Sequence, residues 1–83
     1  MPEGKSYRLI MTYNGFDEEK DERIIRAVQK QSAQESYDPV ETRRSIDFTF
    51  KSRKAANNAR SRVVKTQQQL GGFSVSKVID DSF

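Results

Sequence analysis

The sequence predicts a small α+β domain, a four-stranded antiparallel sheet with two helices packed on one of its faces. Three observations carry this expectation. The runs from Tyr7 to Tyr13, Ile46 to Phe50 and Phe73 to Ser76 alternate apolar and polar residues with the period of a half-buried strand. Two stretches between them repeat their apolar residues at helical spacing. Each element offers one apolar face, so the sheet needs cover on one side only.

The elements follow in order. Residues 1–5 read as a tail, residues 6–80 as one domain and residues 81–83 as a second tail. In the first strand Tyr7, Leu9, Met11 and Tyr13 should face the core, with Arg8, Ile10 and Thr12 opposite. Asn14-Gly15 is a turn signal. Asn14 or Asp17 can cap the helix that follows, and Asp17, Glu18, Glu19, Asp21 and Glu22 lie at its dipole-positive end. That helix is expected to run to about Ser32, with Ile24, Ala27 and Val28 as a narrow apolar stripe and Ile25 beside it. Between Ser36 and Thr42, Tyr37 and Val40 suit a short strand; Pro39 between them cannot donate to a ladder and confines it to an edge.

Ile46, Phe48 and Phe50 form the strongest strand and place two aromatics on one face at the centre of the core. Ser52 can cap the second helix, on which Ala56, Ala59, Val63 and Leu70 recur at spacings that keep one face apolar. Gly71 suits a left-handed cap at its end. Phe73 and Val75 lead the last strand, whose alternation breaks near Lys77 as at a bulge or strand end. Strand, helix, two strands, helix, strand is the βαββαβ order of ferredoxin-like folds.

Eighty-three residues hold one small core and no deep cavity. No stretch approaches the roughly 20 apolar residues of a membrane span, and the opening residues lack the apolar run of a secretory signal. A cytoplasmic location without membrane insertion is the expectation. The absence of cysteine excludes disulfides, thiolate metal sites and thiol nucleophiles, and the absence of histidine removes the commonest general base. The acidic residues concentrate at the start of the first helix, where they answer the helix dipole. Gly71-Gly72 follows a helix rather than opening one, so no helix N-terminus aims at a bound phosphate. The chain is therefore expected to be non-catalytic, with no cofactor and no metal.

Charge is distributed unevenly. Residues 1–41 carry six Lys/Arg and nine Asp/Glu, a balance of −3; residues 42–83 carry nine and three, a balance of +6. The basic half points to an acidic partner, and the opposite signs allow head-to-tail self-association. The candidate partner-binding residues are Arg43 and Arg44 before the strong strand, and Arg53, Lys54, Arg60, Arg62 and Lys65 on the second helix. Nucleic acid is the alternative partner. The run from Phe48 to Ala59 resembles the third strand and second helix of RNA-recognition motifs, which stack bases on exposed sheet aromatics. Here the open face would instead show Ser45, Asp47, Thr49, Ser74 and Ser76. What remains of that alternative is an RNA-binding or regulatory domain contacting phosphates through the basic helix.

Residues 42–79 also resemble the small linker domains of phycobilisomes. The basic pair in Thr42-Arg43-Arg44-Ser45 leads into a strand, the Gln- and Arg-bearing helix from Arg62 to Leu70 ends in Gly71-Gly72, and an alternating strand follows from Phe73 to Val78. That family has valine-proline-tyrosine at the strand end where this chain has Phe50-Lys51-Ser52, and a shorter helix. The resemblance implies a non-catalytic linker that joins acidic light-harvesting subunits, in the plastid stroma in that setting. Docking would then fall to Arg43, Arg44 and the outward cations of the second helix.

Overall fold

The structure, a computed structural model, describes residues 6–29 and 33–81. The elements are β1 (Tyr7–Asn14), α1 (Glu18–Val28), β2 (Gln34–Asp38), β3 (Arg43–Phe50), α2 (Arg53–Leu70), β4 (Ser74–Val75) and β5 (Ile79–Asp80). The sheet is antiparallel in the order β2-β3-β1-β4, and β5 also pairs with β1. The chain is thus a small α+β unit with two helices, and the expected tail 1–5 lies outside the described residues.

The alternation sets the core. Tyr7, Leu9, Met11 and Tyr13 of β1 and Ile46, Phe48 and Phe50 of β3 are buried on one face. Ile24 and Val28 of α1, Ala56, Ala59 and Val63 of α2, and Phe73 close over them in one cluster. The three small residues of α2 let it lie close to the sheet. Full burial of such side chains is the main source of stability in a core this small.

The boundaries differ from the sequence expectation in four places, each for a local reason. First, α1 stops at Val28, because Gln29 turns left-handed (φ 61°) and Arg62 donates to the carbonyls of Ala27 and Val28. Ser32, the expected end, lies outside the described residues. Second, β2 ends at Asp38, whose carboxylate accepts from the amides of Val40 and Glu41 and so nucleates the turn holding Pro39. Val40 belongs to that turn and not to a strand.

Third, Leu70 is not in the core. Gly71 takes φ 71° and ψ 179°, a region open almost only to glycine, rather than the left-handed cap, and the chain folds back so that Phe73 becomes the buried residue. Gln67 fixes this return by donating to the Phe73 carbonyl. Fourth, the last strand is split. Between Arg8 and Met11 of β1 lie three steps; between their partners, Ile79 and Val75, lie four. One residue is inserted, as the broken alternation near Lys77 implied. At the insertion Ser76 donates its amide to the Ile10 carbonyl and accepts the Ile10 amide on its hydroxyl. The side chain there replaces a ladder carbonyl. Asp81, expected in a tail, is tied to the sheet through its amide to Ser6 and its carboxylate to Arg8.

Candidate functional site

The seven cations singled out from the sequence do not form one surface. α2 starts at the Ser52 cap, whose hydroxyl accepts from the Ala55 amide, and it contains no acidic residue. Its three arginines are nevertheless engaged within the chain, Arg60 and Arg62 half-buried and Arg53 at the surface. Arg53 pairs with Asp80 at 2.8 Å and lies 5.0 Å from the centre of the Tyr7 ring. Arg60 donates to the Ser76 carbonyl at 2.9 Å, at the bulge. Arg62 caps α1 as described. Lys54 and Lys65 remain solvent-facing with no ion pair among the described residues. Arg43 is exposed beside Glu41, but on the opposite side of the sheet from the helices.

Arg44 requires a correction: it is a core residue and not a docking cation. It sits on the helix-side face of β3 at 5% exposure, against Asp21 at 6%. Its Nε and Nη2 donate to Asp21 Oδ2 at 3.0 and 2.8 Å, Nη2 also reaches Glu35, and Nη1 reaches the Ser36 carbonyl. The hydrogen bond to Asp21 raises the guanidinium pKa further above its already high value, against the opposing effect of burial. Tyr13 donates to Asp21 Oδ1, and its hydroxyl accepts the Asp17 amide at 3.0 Å. The adjacent basic pair thus splits by strand parity, Arg43 outward and Arg44 inward.

The Tyr13 hydroxyl is pushed up to about 12, first by burial and then by its bond to Asp21. Below pH 10 the phenol is neutral folded or unfolded, and its contribution is complete. Above that, the unfolded chain loses the proton while the folded chain keeps it, so stability is lost as the pH rises from about 10 to 12. The expected loss from this group is on the order of 2 kcal/mol. Tyr13→Phe should be less stable at pH 7, because it leaves the Asp17 amide without its partner, yet lose less stability between pH 10 and 12. Urea melts of both proteins across that range check it.

The open sheet face is polar, as strand parity implied. It shows Arg8, Ile10 and Thr12 of β1, Ser45, Asp47 and Thr49 of β3, and Ser74 and Ser76. Arg8 bridges Asp47 at 3.1 Å and Asp81. Two shallow clefts lie here, about 460 Å³ by Thr12, Asn14, Arg43 and Ser74, and about 420 Å³ by Ile10, Ser36, Ser45 and Asp47. Tyr13 and Phe73 border the first cleft but are buried in the core, so neither offers an exposed ring to stack a base. Among the described residues no three acidic side chains converge as a metal cage. Asp17 caps α1 by accepting from the amides of Glu19 and Lys20.

The surface that sequence reasoning missed is apolar. Phe16, Tyr37 and Val40 are 57, 41 and 89% exposed. The first two rings meet edge to face at 6.1 Å, and Arg44 lies 4.8 Å from the Phe16 ring centre. Phe16 precedes the Asp17 cap, the place of a hydrophobic staple, but the residue four positions into the helix is Asp21, so no apolar partner waits there. That mismatch was the available signal. Comparison with protein-family models, with curated proteins and with solved structures finds no match. No helix among the described residues is long and apolar enough to cross a membrane.

Proposed function

We propose that this is a ferredoxin-like domain acting as a non-catalytic adaptor, and that it docks on an acidic partner protein through the outer face of α2. One observation carries the reading. Lys54, Asn58, Ser61, Lys65 and Gln68 repeat at steps of four and three, all solvent-facing, in a helix without an acidic residue. The stripe presents two cations about 16 Å apart among amides and a hydroxyl. It suits carboxylates on a folded surface, where cations steer approach and amides fix register.

The same count disfavours RNA. Two cations on one face neutralise about two phosphates, a salt slope of only about −1.4 for a single strand. With no stacking aromatic on the open face, little else would hold a nucleic acid.

The resemblance to phycobilisome linkers makes a purified phycobiliprotein the first probe. Arg60 and Arg62 are unsuitable for charge reversal, because they hold the bulge and the α1 end. Lys54→Glu/Lys65→Glu should keep the thermal stability of the native chain and weaken phycobiliprotein binding about tenfold in a direct titration. Undiminished binding by the variant overturns the docking surface. Absence of phycobiliprotein binding alongside retention on single-stranded RNA overturns the partner class.

A further inference from the structure

We propose that the outer edge of β2 is a self-pairing surface, on which a second copy of this chain adds its own β2 antiparallel across a twofold axis at Ser36. Among the described residues β2 pairs only with β3, and all five of its residues are exposed, so one line of backbone donors and acceptors faces solvent. The segment is compatible with its own copy. Pairing about Ser36 sets Ser36 against Ser36, Glu35 against Tyr37, and Gln34 against Asp38. The small residue at the axis permits close approach, and no carboxylate lies directly opposite another.

Charge, the usual guard on such an edge, is already answered within each chain. Glu35 is bound by Arg44, and the Asp38 carboxylate accepts two turn amides. The register with Ile46 and Arg44 places Glu35 and Tyr37 on the helix side of the sheet. On that side Arg44 links Glu35 to Asp21 of α1, while the Glu35 and Tyr37 side chains remain exposed. Phe16 and Tyr37 stand there, exposed. The twofold axis would bring both pairs of rings over the joined strands, between the two helical layers. Strand addition draws affinity from main-chain hydrogen bonds at a free edge, and exposed aromatics beside it add apolar area to bury.

The surface is separate from the α2 stripe, so Lys54→Glu/Lys65→Glu should leave it intact. The test is sedimentation equilibrium of the whole chain from about 1 μM to 1 mM, because small edge interfaces are weak. A reversible monomer–dimer equilibrium is expected, weakened at least tenfold by Tyr37→Lys and by Phe16→Lys with circular dichroism unchanged. Ser36→Cys gives a second readout in a chain without other cysteines. Mild oxidation should cross-link it as a dimer, whereas Thr49→Cys on the open face should stay monomeric. A chain that remains monomeric at about 1 mM overturns the proposal. So does a dimer that ignores Tyr37→Lys and cross-links no better through Ser36→Cys than through Thr49→Cys.

Discussion

Asp21→Ala is expected to destabilise the domain by about 3–5 kcal/mol, read as a lower urea midpoint. The aspartate takes two bonds from Arg44 and one from Tyr13, and both cationic and anionic side chains are almost fully buried. Removing it leaves a guanidinium in a low-dielectric site with Glu35, the Ser36 carbonyl and the Phe16 ring as its remaining partners among the described residues. Arg44 cannot escape by losing its proton. For a chain of this length total stability is about 4–12 kcal/mol, so the variant should be largely unfolded at the lower end of that range. The double variant Asp21→Leu/Arg44→Met should recover much of the loss, because an apolar pair avoids the desolvation that the ions incur. A cycle in which the double variant is no better than Asp21→Ala would show that the ion pair itself stabilises the fold.

Phe48→Ala is expected to cost about 3–5 kcal/mol as well, by a different route. Phe48 of β3 is fully buried and lies opposite Leu9. Phe48 is the largest of the fully buried side chains, in one cluster with Ala56, Ala59 and Val63 of α2. Its removal creates a cavity that two rigid layers cannot close. A fall in Tm of roughly 15–30 °C should follow, with the circular dichroism of the native state unchanged. Leu9→Ala should behave similarly. Thr49→Ala, one residue away but on the open face, should lie within about 0.5 kcal/mol of the parent.

Most of the layer arrangement was legible because parity and helical spacing are local properties. The core faces of β1 and β3, the Ala56–Ala59–Val63 stripe and the break near Lys77 could all be read from neighbours a few residues apart. The fate of each cation could not. Arg62 reaches α1 carbonyls 34 and 35 positions away, Arg53 reaches Asp80, and Arg44 reaches Asp21. Composition counts such residues as surface charge, whereas tertiary contacts decide whether a guanidinium faces water or a backbone carbonyl. Strand parity alone would have separated Arg43 from Arg44 had the strand been extended back from Ile46. The aromatic patch was hidden for the opposite reason, since Phe16 sits in a turn where periodicity says nothing.

The inserted residue at Ser76 has a consequence for assembly size. Ordered growth of a sheet from subunit to subunit needs two compatible borders, one to offer and one to receive. On the β4–β5 side the border consists of two two-residue strands whose pairing with β1 shifts register by one residue between them. A straight incoming strand cannot match both halves of that border. Association through β2, as proposed, would use the continuous border found among the described residues, and the process would terminate at a pair. Such a chain can be concentrated without nucleating an endless ribbon, and the safeguard lies at the border opposite the one that would need it.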